Sequence, residues 1–333
     1  MRYPPEVHLP VAAQPDIQTT ISFIEHAEAL GYARVWSPET WGRDAVATLA
    51  AASTSLEHTD LGTSILNVYS RSPALRGQTA VTLAELAPGD FRLGIGPSGP
   101  GVVERWHGLG YDRPLRRTRE ATEIIRMATA GEVVDYDGDI FELEGFRLRC
   151  NPPDRPIPVD LAGLGPKAVE LAGFIGDGWH ALMVTQEGIA ARLEDLTRGA
   201  ERAGRDPDEI RVTLSVTCCA KEDAAKARRL VAEHIGFYLG SMGPFYARAL
   251  AEQGRREVVE TIVSAWRGGE RDVAVETIET ELLDDLAAAG TPQDVRESLE
   301  EFESVDGIDA IAVSFPRGAS PEETSETLEA IVR

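Results

Sequence analysis

Residues 60–96 of the chain read DLGTSILNVYSRSPALRGQTAVTLAELAPGDFRLGIG, and they contain two apolar runs separated by a helical run. Asp60–Leu66 and Phe91–Gly96 are short apolar runs with the length of buried strands. Between them a helical run begins at Pro73 and ends at Pro88–Gly89. Because parallel strands need a crossover, usually a helix, the pattern predicts an α/β fold with a parallel sheet.

The same unit recurs along the chain. Amphipathic helical runs separate the apolar runs, as in Asp16–Leu30, where Ile17, Ile21 and Ile24 share one face. Eight strands alternating with helices are the count of a closed barrel, so we predict a (β/α)8 TIM barrel. The predicted strands are Val7–Val11, Ala33–Ser37, Asp60–Leu66, Phe91–Gly96, Ile157–Ala162, Trp179–Val184, Ile210–Cys219 and Ile308–Phe315.

Two segments exceed the usual barrel and are predicted as insertions. Residues 131–148 contain Asp137–Gly138 between alternating runs, which indicates a hairpin after the fourth strand. Residues 221–290 have no strand pattern and are predicted as added helices between strands seven and eight. Because no linker or composition break separates domains, we expect residues 1–333 to form a single domain.

The chain is strongly acidic. Its 55 Asp and Glu outnumber its 33 Lys and Arg, which gives a net charge of −22, and only three of the cations are lysines. Nucleic acids and anionic membranes are bound through clustered Lys and Arg, so the charge argues against both partners. Acid-rich surfaces are one adaptation to high salt, and we interpret the chain as halophilic, with an acidic mesophile as the alternative.

No segment has the pattern of a signal peptide or of a membrane span. The three cysteines, Cys150, Cys218 and Cys219, are too few and too badly spaced for a disulfide framework or a zinc site. We therefore expect a cytoplasmic protein without a metal.

Two glycine-rich clusters follow predicted strands, at the end of a TIM barrel where active sites lie. Gly94–Gly99 (GIGPSG) formally satisfies GxGxxG, but Pro97 and Pro100 remove amide donors that a dinucleotide-binding turn uses. Ala162–Pro166 (AGLGP) lies between the fifth predicted strand and its predicted helix, Pro166–Ile175, where N–H groups at the helix start can bind an anion. Each cluster alone is compatible with an ordinary turn, and together they favour a phosphate-bearing cofactor.

These stretches resemble the coenzyme F420-dependent branch of the luciferase-like superfamily. Gly94–Gly108 (GIGPSGPGVVERWHG) is similar to the GPSGPxVVExWHG signature of that branch. Ser70–Leu86, Ile157–Trp179 and Val216–Ala220 are similar to further blocks of the family. The RSPA and TCC elements within them resemble the methylenetetrahydromethanopterin reductases in particular. The resemblance covers nearly the whole chain and is weakest in the second insertion.

The resemblance implies that a deazaflavin, coenzyme F420, binds at the C-terminal mouth of the barrel. It implies a non-prolyl cis peptide at Ser64–Ile65 behind the ring, and a phosphate-bearing tail held by main-chain groups of the two glycine clusters. Glu104 is expected as a polar partner near the tail, or else as solvated surface. The candidate cofactor-binding residues are Ser64, Ile65, Asn67, Gly96, Ser98, Gly99, Glu104, Gly163, Leu164 and Gly165.

The chain departs from the family pattern after the second strand. Many relatives carry an Asp-His pair there, whereas this chain has Glu39–Thr40 followed by Trp41. A second departure is in the first strand, where Val7 stands in place of a glutamate of the reductases. We predict Glu39 as a proton relay and Trp41 as a stacking or shielding wall. The alternatives are a helix N-terminal charge for Glu39 and a core position for Trp41.

The resemblance implies an enzyme that transfers a hydride between C5 of F420 and a small organic substrate, such as a methylene-pterin or folate-type carrier of one-carbon units. An FMN-dependent luciferase-like monooxygenase is the first alternative, and a non-catalytic cofactor-binding barrel is the second. Relatives are often dimers, so a homodimer is compatible with the resemblance, and the acidic surface neither favours nor excludes it.

Overall fold

The computed structural model describes residues 4–10 and 14–332. Within them, the strands are β1 (Glu6–His8), β2 (Arg34–Ser37), β3 (Asp60–Asn67), β4 (Phe91–Gly96), β5 (Val134–Asp137), β6 (Glu142–Phe146), β7 (Val159–Ala162), β8 (Gly178–Ala181), β9 (Arg211–Ala220), β10 (Ala287–Gly290) and β11 (Ala310–Ser314). The helices are α1 (Ile17–Ala29), α2 (Ala45–Ala52), α3 (Pro73–Leu86), α4 (Pro114–Thr129), α5 (Pro166–Ile175), α6 (Gln186–Arg202), α7 (Ala224–Ser241), α8 (Pro244–Leu250), α9 (Arg256–Gly268), α10 (Arg271–Glu281), α11 (Leu283–Leu286), α12 (Pro292–Glu303) and α13 (Pro321–Val332). Short π-helical segments lie at Gly101–Trp106 and Ala251–Arg255, and a 3₁₀ turn lies at Pro207–Glu209.

The main sheet has the strand order of a barrel. Its order is β10-β9-β11-β1-β2-β3-β4-β7-β8, and β8 also pairs with β9, which closes the order into a ring. Neighbouring strands pair in parallel, as in β2 with β3, β3 with β4 and β4 with β7. The predicted (β/α)8 TIM barrel is confirmed. The antiparallel hairpin β5–β6 forms a separate sheet in the first predicted insertion.

The eight predicted strands are present, with ends that shift by a few residues. The sixth ends at Ala181 and not at Val184. The reason is Met183, whose φ of 53° lies in the left-handed region and does not continue a strand. The first ends at His8. Its predicted end, Val11, lies outside the described residues.

The described residues group into two compact units. The site unit comprises residues 34–180 and 195–211, and the insertion unit comprises residues 4–10, 14–33, 181–194 and 212–332. The expectation of a single domain over residues 1–333 stays a prediction.

Parallel pairing aligns the C-terminal ends of neighbouring strands in the site unit. Asn67 of β3 pairs with Gly96 of β4, and Ile95 of β4 pairs with Leu161 of β7. The loops that follow these three strands therefore start side by side along one edge.

Charged side chains at the other, N-terminal ends of these strands pair with one another. Arg34 Nη2 donates to Asp60 Oδ2 at 2.6 Å, and Arg92 donates from Nε and Nη2 to Asp160 at 2.8 and 2.5 Å. Burial would raise the pKa of Asp160, but Arg92 holds it below its usual range. Burial lowers the pKa of the neighbouring His180 to about 4, against the opposing effect of Asp160. The buried charges are thus compensated, and His180 is neutral at pH 7.

The hairpin β5–β6 is fixed to α4 by a buried carboxylate and an apolar cluster. Glu120 accepts the N–H groups of Asp139, Ile140 and Phe141 at 3.0, 3.0 and 3.1 Å. Val134 of β5 packs against Ile124 and Ala128 of α4. A carboxylate that accepts several amides is well compensated in a buried position, so it holds the hairpin tip in place.

The insertion unit corrects one prediction. Residues 221–290 contain the helices α7 to α11, as expected, but they end in the strand β10, which pairs in parallel with β9 from Ala287 opposite Thr217 to Gly290 opposite Ala220. Three alanines and a glycine carry no strand periodicity, and alanine has the highest helix propensity, so the sequence alone suggests helix. A core that includes Val231, Ile235, Ile262, Trp266 and Ile278 unites the inserted helices.

Within the described ranges, no helix combines the length and the apolar character that crossing a membrane requires. Across the same residues, no group of three or more His, Cys, Asp or Glu side chains is arranged to hold a metal ion.

Candidate active site

The predicted site residues all lie in the site unit, in or after β2, β3, β4 and β7. Glu39 follows Ser37, which pairs with Thr63 just before the predicted cis bond. Since parallel pairing aligns these strands, the structure brings their C-terminal ends to one edge.

The cis bond predicted in the third strand is present. The peptide Ser64–Ile65 is cis, and the register between β3 and β4 shifts between Thr63 and Leu66. The non-prolyl cis peptide that the family resemblance implied is therefore confirmed at this position.

Asn67 shapes the turn after β3. Its Oδ1 accepts the N–H groups of Tyr69 and Ser70 at 3.0 and 2.8 Å, and its Nδ2 lies 3.4 Å from His107 Nε2. The main-chain carbonyl of Asn67 accepts from Arg76 Nη2 at 2.6 Å. Asn67 is fully buried, and these hydrogen bonds fix the backbone of the turn after β3. Its predicted contact with a cofactor stays a prediction.

Glu39 is held by an arginine. Arg71 Nη1 donates to both carboxylate oxygens of Glu39 at 2.5 and 2.6 Å, and Ser70 Oγ lies 3.5 Å from Glu39 Oε2. Arg71 Nη2 donates to Asp44 Oδ2 at 2.7 Å. One guanidinium therefore spans the loop between Glu39 and Asp44. Asp44 in turn caps α2 by accepting the N–H of Ala47 at 2.7 Å.

Trp41 lies in the loop that Arg71 spans. The residue is 48% exposed, which excludes the alternative of a core position and leaves its indole accessible to a ligand. Its predicted shielding role stays a prediction.

The loop after β4 has an unusual backbone. Gly96 is buried, and its carbonyl accepts the N–H of Val68 at 2.9 Å. Ser98 has a φ of 55°, in the left-handed region that side chains disfavour. The carbonyl of Gly99 accepts the N–H groups of Val102 and Val103 at 3.1 and 3.0 Å, where the π-helical segment begins. Such segments are frequent at functional sites.

Glu104 lies on that π-helical segment and is exposed. The neighbouring Trp106 is 63% exposed, while Val102 and Val103 face the core. The segment thus presents Glu104 to solvent, and its predicted contact with the cofactor tail stays a prediction.

The two glycines after β7 differ in their surroundings. The carbonyl of Gly163 accepts from Trp179 Nε1 at 3.0 Å, and a Cβ on Gly163 would lie 2.6 Å from Ala168 Cβ. Gly163 is therefore required by the close approach of α5. A Cβ on Gly165 would meet nothing within 4 Å, so open space lies beside it. Leu164, between them, is half-buried.

This end of α5 fits a phosphate-bearing group. The helix begins at Pro166, which has no N–H, and no side chain caps it; the N–H of Ala168 donates to the Gly165 carbonyl at 3.0 Å, so Lys167 supplies the remaining amide of the first turn. This amide, together with the helix dipole and the open space at Gly165, favours an anion. The residues present therefore fit the tail that the resemblance implied.

Sequence reasoning assigned no role to Arg71, Arg76 or Tyr111. Arg76 is fully buried, and burial together with the charge of Arg71 lowers its pKa to about 9. Both arginines lie in Ser70–Leu86, one of the blocks similar to the family, and Tyr111 comes shortly after the signature Gly94–Gly108. The similarity of this block to the family indicates that the block is functionally important. The contact of Arg71 with the loop after β2 is seen only in the structure.

Comparisons with known proteins agree with this geometry. A protein of Mycobacterium tuberculosis assigned to the coenzyme F420-dependent oxidoreductases is 32% identical over 320 residues, which cover 91% of this chain and 92% of the relative. The 5,10-methylenetetrahydromethanopterin reductase of Archaeoglobus fulgidus is 27% identical, over 92% of each chain.

A solved structure and a family model extend the comparison. The F420-dependent tetrahydromethanopterin reductase of Methanopyrus kandleri superimposes with a TM-score of 0.81 at 20% identity, over 99% of this chain and 98% of the other, and supports the fold. The family model described as luciferase-like monooxygenase matches residues 3–307. The chain therefore belongs to the luciferase-like monooxygenase family, and the relatives reported above are an F420-dependent oxidoreductase and two reductases of tetrahydromethanopterin carriers.

Proposed function

We propose that this protein is a coenzyme F420-dependent oxidoreductase that transfers a hydride between C5 of the deazaflavin and a small organic substrate. The observation that carries the proposal is the pair of glycine-rich ends of β4 and β7, which are adjacent strands with open space at Gly165. The similarity to F420-dependent relatives supports the same cofactor. The reductase relatives favour a methylene-pterin or folate-type carrier of one-carbon units as the substrate class.

Two sets of residues would hold the cofactor. We propose that main-chain groups of Ser98 and Gly99, and of Gly163, Leu164 and Gly165, bind the phosphate-bearing tail, with the exposed Glu104 as a polar partner near it. We propose that Ser64, Ile65, Asn67 and Gly96, at the C-terminal ends of the paired strands β3 and β4, bind the ring. When bound, F420 supplies a ring carbon that accepts or releases a hydride.

Glu39 and Trp41 are the residues proposed to act on the substrate. Because both oxygens of Glu39 accept from Arg71 Nη1, the carboxylate is held beside the loop that carries Trp41, and we propose that it relays a proton. The exposed indole of Trp41 offers an apolar surface that would exclude water from the ligand. The proposal includes a homodimer and a cytoplasmic location.

The function is tested by oxidation of reduced F420 against a panel of pterins, folates, quinones and aldehydes under anaerobic conditions. We expect one class to oxidise reduced F420 in a protein-dependent reaction.

Glu39→Gln should lower kcat by about 10²-fold or more if the carboxylate relays a proton. Asp44→Asn is the matched control, because it changes the other carboxylate on Arg71 and should stay within a few-fold of the wild type.

A result in which both variants lose activity equally would reduce Glu39 to a structural partner of Arg71. If F420 binds but no substrate of the panel oxidises it, the non-catalytic barrel becomes the better account.

A second candidate function is an FMN-dependent monooxygenase, because the matching family model describes luciferase-like monooxygenases. Such an enzyme would consume oxygen with reduced FMN and would not respond to F420. Oxygen uptake measured with each reduced cofactor separates the two functions.

A further inference from the structure

Tyr111 contacts the loop that follows β4. Its hydroxyl donates to the carbonyl of Ser98 at 3.3 Å, and Ser98 is the residue of that loop with a φ of 55°. A left-handed serine is disfavoured by its own side chain, so a contact at its carbonyl contributes directly to holding this conformation.

The ring of Tyr111 is itself held in place. It stacks on Tyr69 with ring centroids 5.4 Å apart and planes inclined by 26°. The Tyr69 hydroxyl donates to the carbonyl of Asp112 at 3.0 Å, and the guanidinium of Arg117 lies 4.7 Å from the centre of the Tyr69 ring. Burial raises the pKa of Tyr111, so its hydroxyl remains a donor over the ordinary pH range. The donor therefore has a fixed position and a fixed protonation state.

Few main-chain donors remain in the loop. Pro97 and Pro100 have no N–H, which leaves the amides of Ser98, Gly99 and Gly101. In a trans peptide the carbonyl and the next N–H point in opposite directions. Fixing the Ser98 carbonyl toward Tyr111 thus turns the Gly99 N–H away from Tyr111. Successive amides around a left-handed residue form the concave arrangement that binds anions.

We propose that Tyr111 is a positioning residue that fixes the Ser98–Gly99 peptide plane and thereby aims the Gly99 N–H at the phosphate-bearing tail of the cofactor. The inference rests on the proposed function, because it assumes that the loop after β4 binds that tail.

The test is the variant Tyr111→Phe, which keeps the stacked ring and removes the hydroxyl. Tyr136→Phe is the matched control, because the Tyr136 hydroxyl donates to Glu123 on the hairpin side of α4. Binding of F420 is compared with binding of the deazariboflavin chromophore that lacks the phosphate and its tail. Thermal unfolding is followed by circular dichroism, and amide exchange over residues 96–103 is measured without cofactor.

For Tyr111→Phe we expect F420 to bind about tenfold more weakly, as for the loss of one hydrogen bond, while the chromophore binds as in the wild type. Exchange over residues 96–103 should become several-fold faster, and the unfolding temperature should stay close to that of the wild type. Tyr136→Phe should change neither affinity.

Equal affinity of Tyr111→Phe and wild type for F420 would overturn the inference and leave the proposed function intact. An equal loss for F420 and for the chromophore would also overturn it, because the effect would not then act through the tail. A wild-type protein that binds no F420 would refute the proposed function itself, and the inference with it.

Discussion

Two residues largely determine the geometry of the candidate site: Arg71, which fixes the loop after β2, and Gly165, which leaves open space at the start of α5. Arg71 joins Glu39 to Asp44 and so defines the loop that carries Trp41. Nη1 donates to Glu39 and Nη2 donates to Asp44, and these two charge-assisted contacts hold the two ends of the loop at a fixed separation. Gly165 gives access to the end of α5, whereas Gly163 is explained by packing.

The two glycines after β7 give opposite predictions. Gly165→Val should still fold, because the backbone there is extended, with φ −98° and ψ 166°, and a Cβ would meet no atom within 4 Å. It should nevertheless weaken F420 binding tenfold or more by filling the space beside the helix end. Gly163→Val should destabilise the protein by about 1–3 kcal/mol, because its Cβ would lie 2.6 Å from Ala168 Cβ.

Thermal unfolding measures the stability of both variants, and titration with F420 measures their affinity for the cofactor. Unchanged F420 affinity of a folded Gly165→Val protein would place the tail elsewhere.

At the element level, Gln253 hydrogen-bonds the inserted helices to the loop after β8, whose Met183 also packs into their apolar core. Gln253, at the kink between α8 and α9, donates from Nε2 to the carbonyls of Met183 and Ala249 at 3.1 and 3.0 Å. Its Oε1 accepts the N–H of Thr185 at 2.9 Å. Loops after barrel strands carry function, so this contact fixes the path of a loop in a functionally important position.

Removing that amide should cost stability. Gln253→Ala leaves the Met183 carbonyl and the Thr185 N–H without this partner, and we expect a loss of about 1–3 kcal/mol in the free energy of unfolding. Gln293→Ala is the control, because Gln293 bonds only across an exposed turn of α12 to Glu297 and should cost less than about 0.5 kcal/mol. Urea unfolding of both variants measures these losses. Similar losses in the free energy of unfolding would show that Gln253 does not anchor the loop.

A second prediction at this scale concerns acid. The pKa of buried His180 is lowered to about 4, so below about pH 6.5 the unfolded chain binds a proton that the folded chain does not take up until about pH 4. Stability should therefore fall as the pH drops through this interval, by on the order of 3 kcal/mol from this residue. His180→Gln should reduce the decrease without abolishing it, since His234 has the same shift.

The free energy of unfolding at pH 7 and pH 4.5 is the measurement. An identical decrease in His180→Gln and wild type would exclude the contribution of His180.

The elements also show what the sequence can and cannot predict. Phe91–Gly96 and Pro166–Ile175 were predicted with their observed ends, because apolar runs, proline and glycine are local signals. The strand β10 was missed because three alanines and a glycine give no such signal. The pairing of Arg71 with Glu39 joins residues 32 positions apart, so it depends on strand register, which single-sequence patterns do not supply.

At the scale of the whole molecule, the acidic composition remains the least explained property. A net charge of −22 with few lysines makes the folded chain repel itself, and salt screens that repulsion. Many surface carboxylates do have arginine partners, such as Glu170 with Arg202 and Asp284 with Arg228. Exposed pairs of this kind contribute little, so they do not remove the effect of net charge.

The charge predicts a dependence of stability on salt. The unfolding temperature should rise between low and molar KCl, because screening relieves repulsion more in the compact state than in the unfolded chain. Circular dichroism melts over this range provide the measurement, with an equimolar sucrose series as a control for solvent exclusion. A flat profile in KCl would contradict the halophilic interpretation.

The central claim is that the ends of β4 and β7 bind the tail of F420, and a direct titration of the cofactor-free protein tests it best. Fluorescence titrations with F420, with its tail-less chromophore and with FMN would be compared under identical conditions. We predict that F420 binds most tightly, that the chromophore binds at least tenfold more weakly, and that FMN does not compete at equal concentration. Tight binding of FMN with no response to F420 would contradict the account.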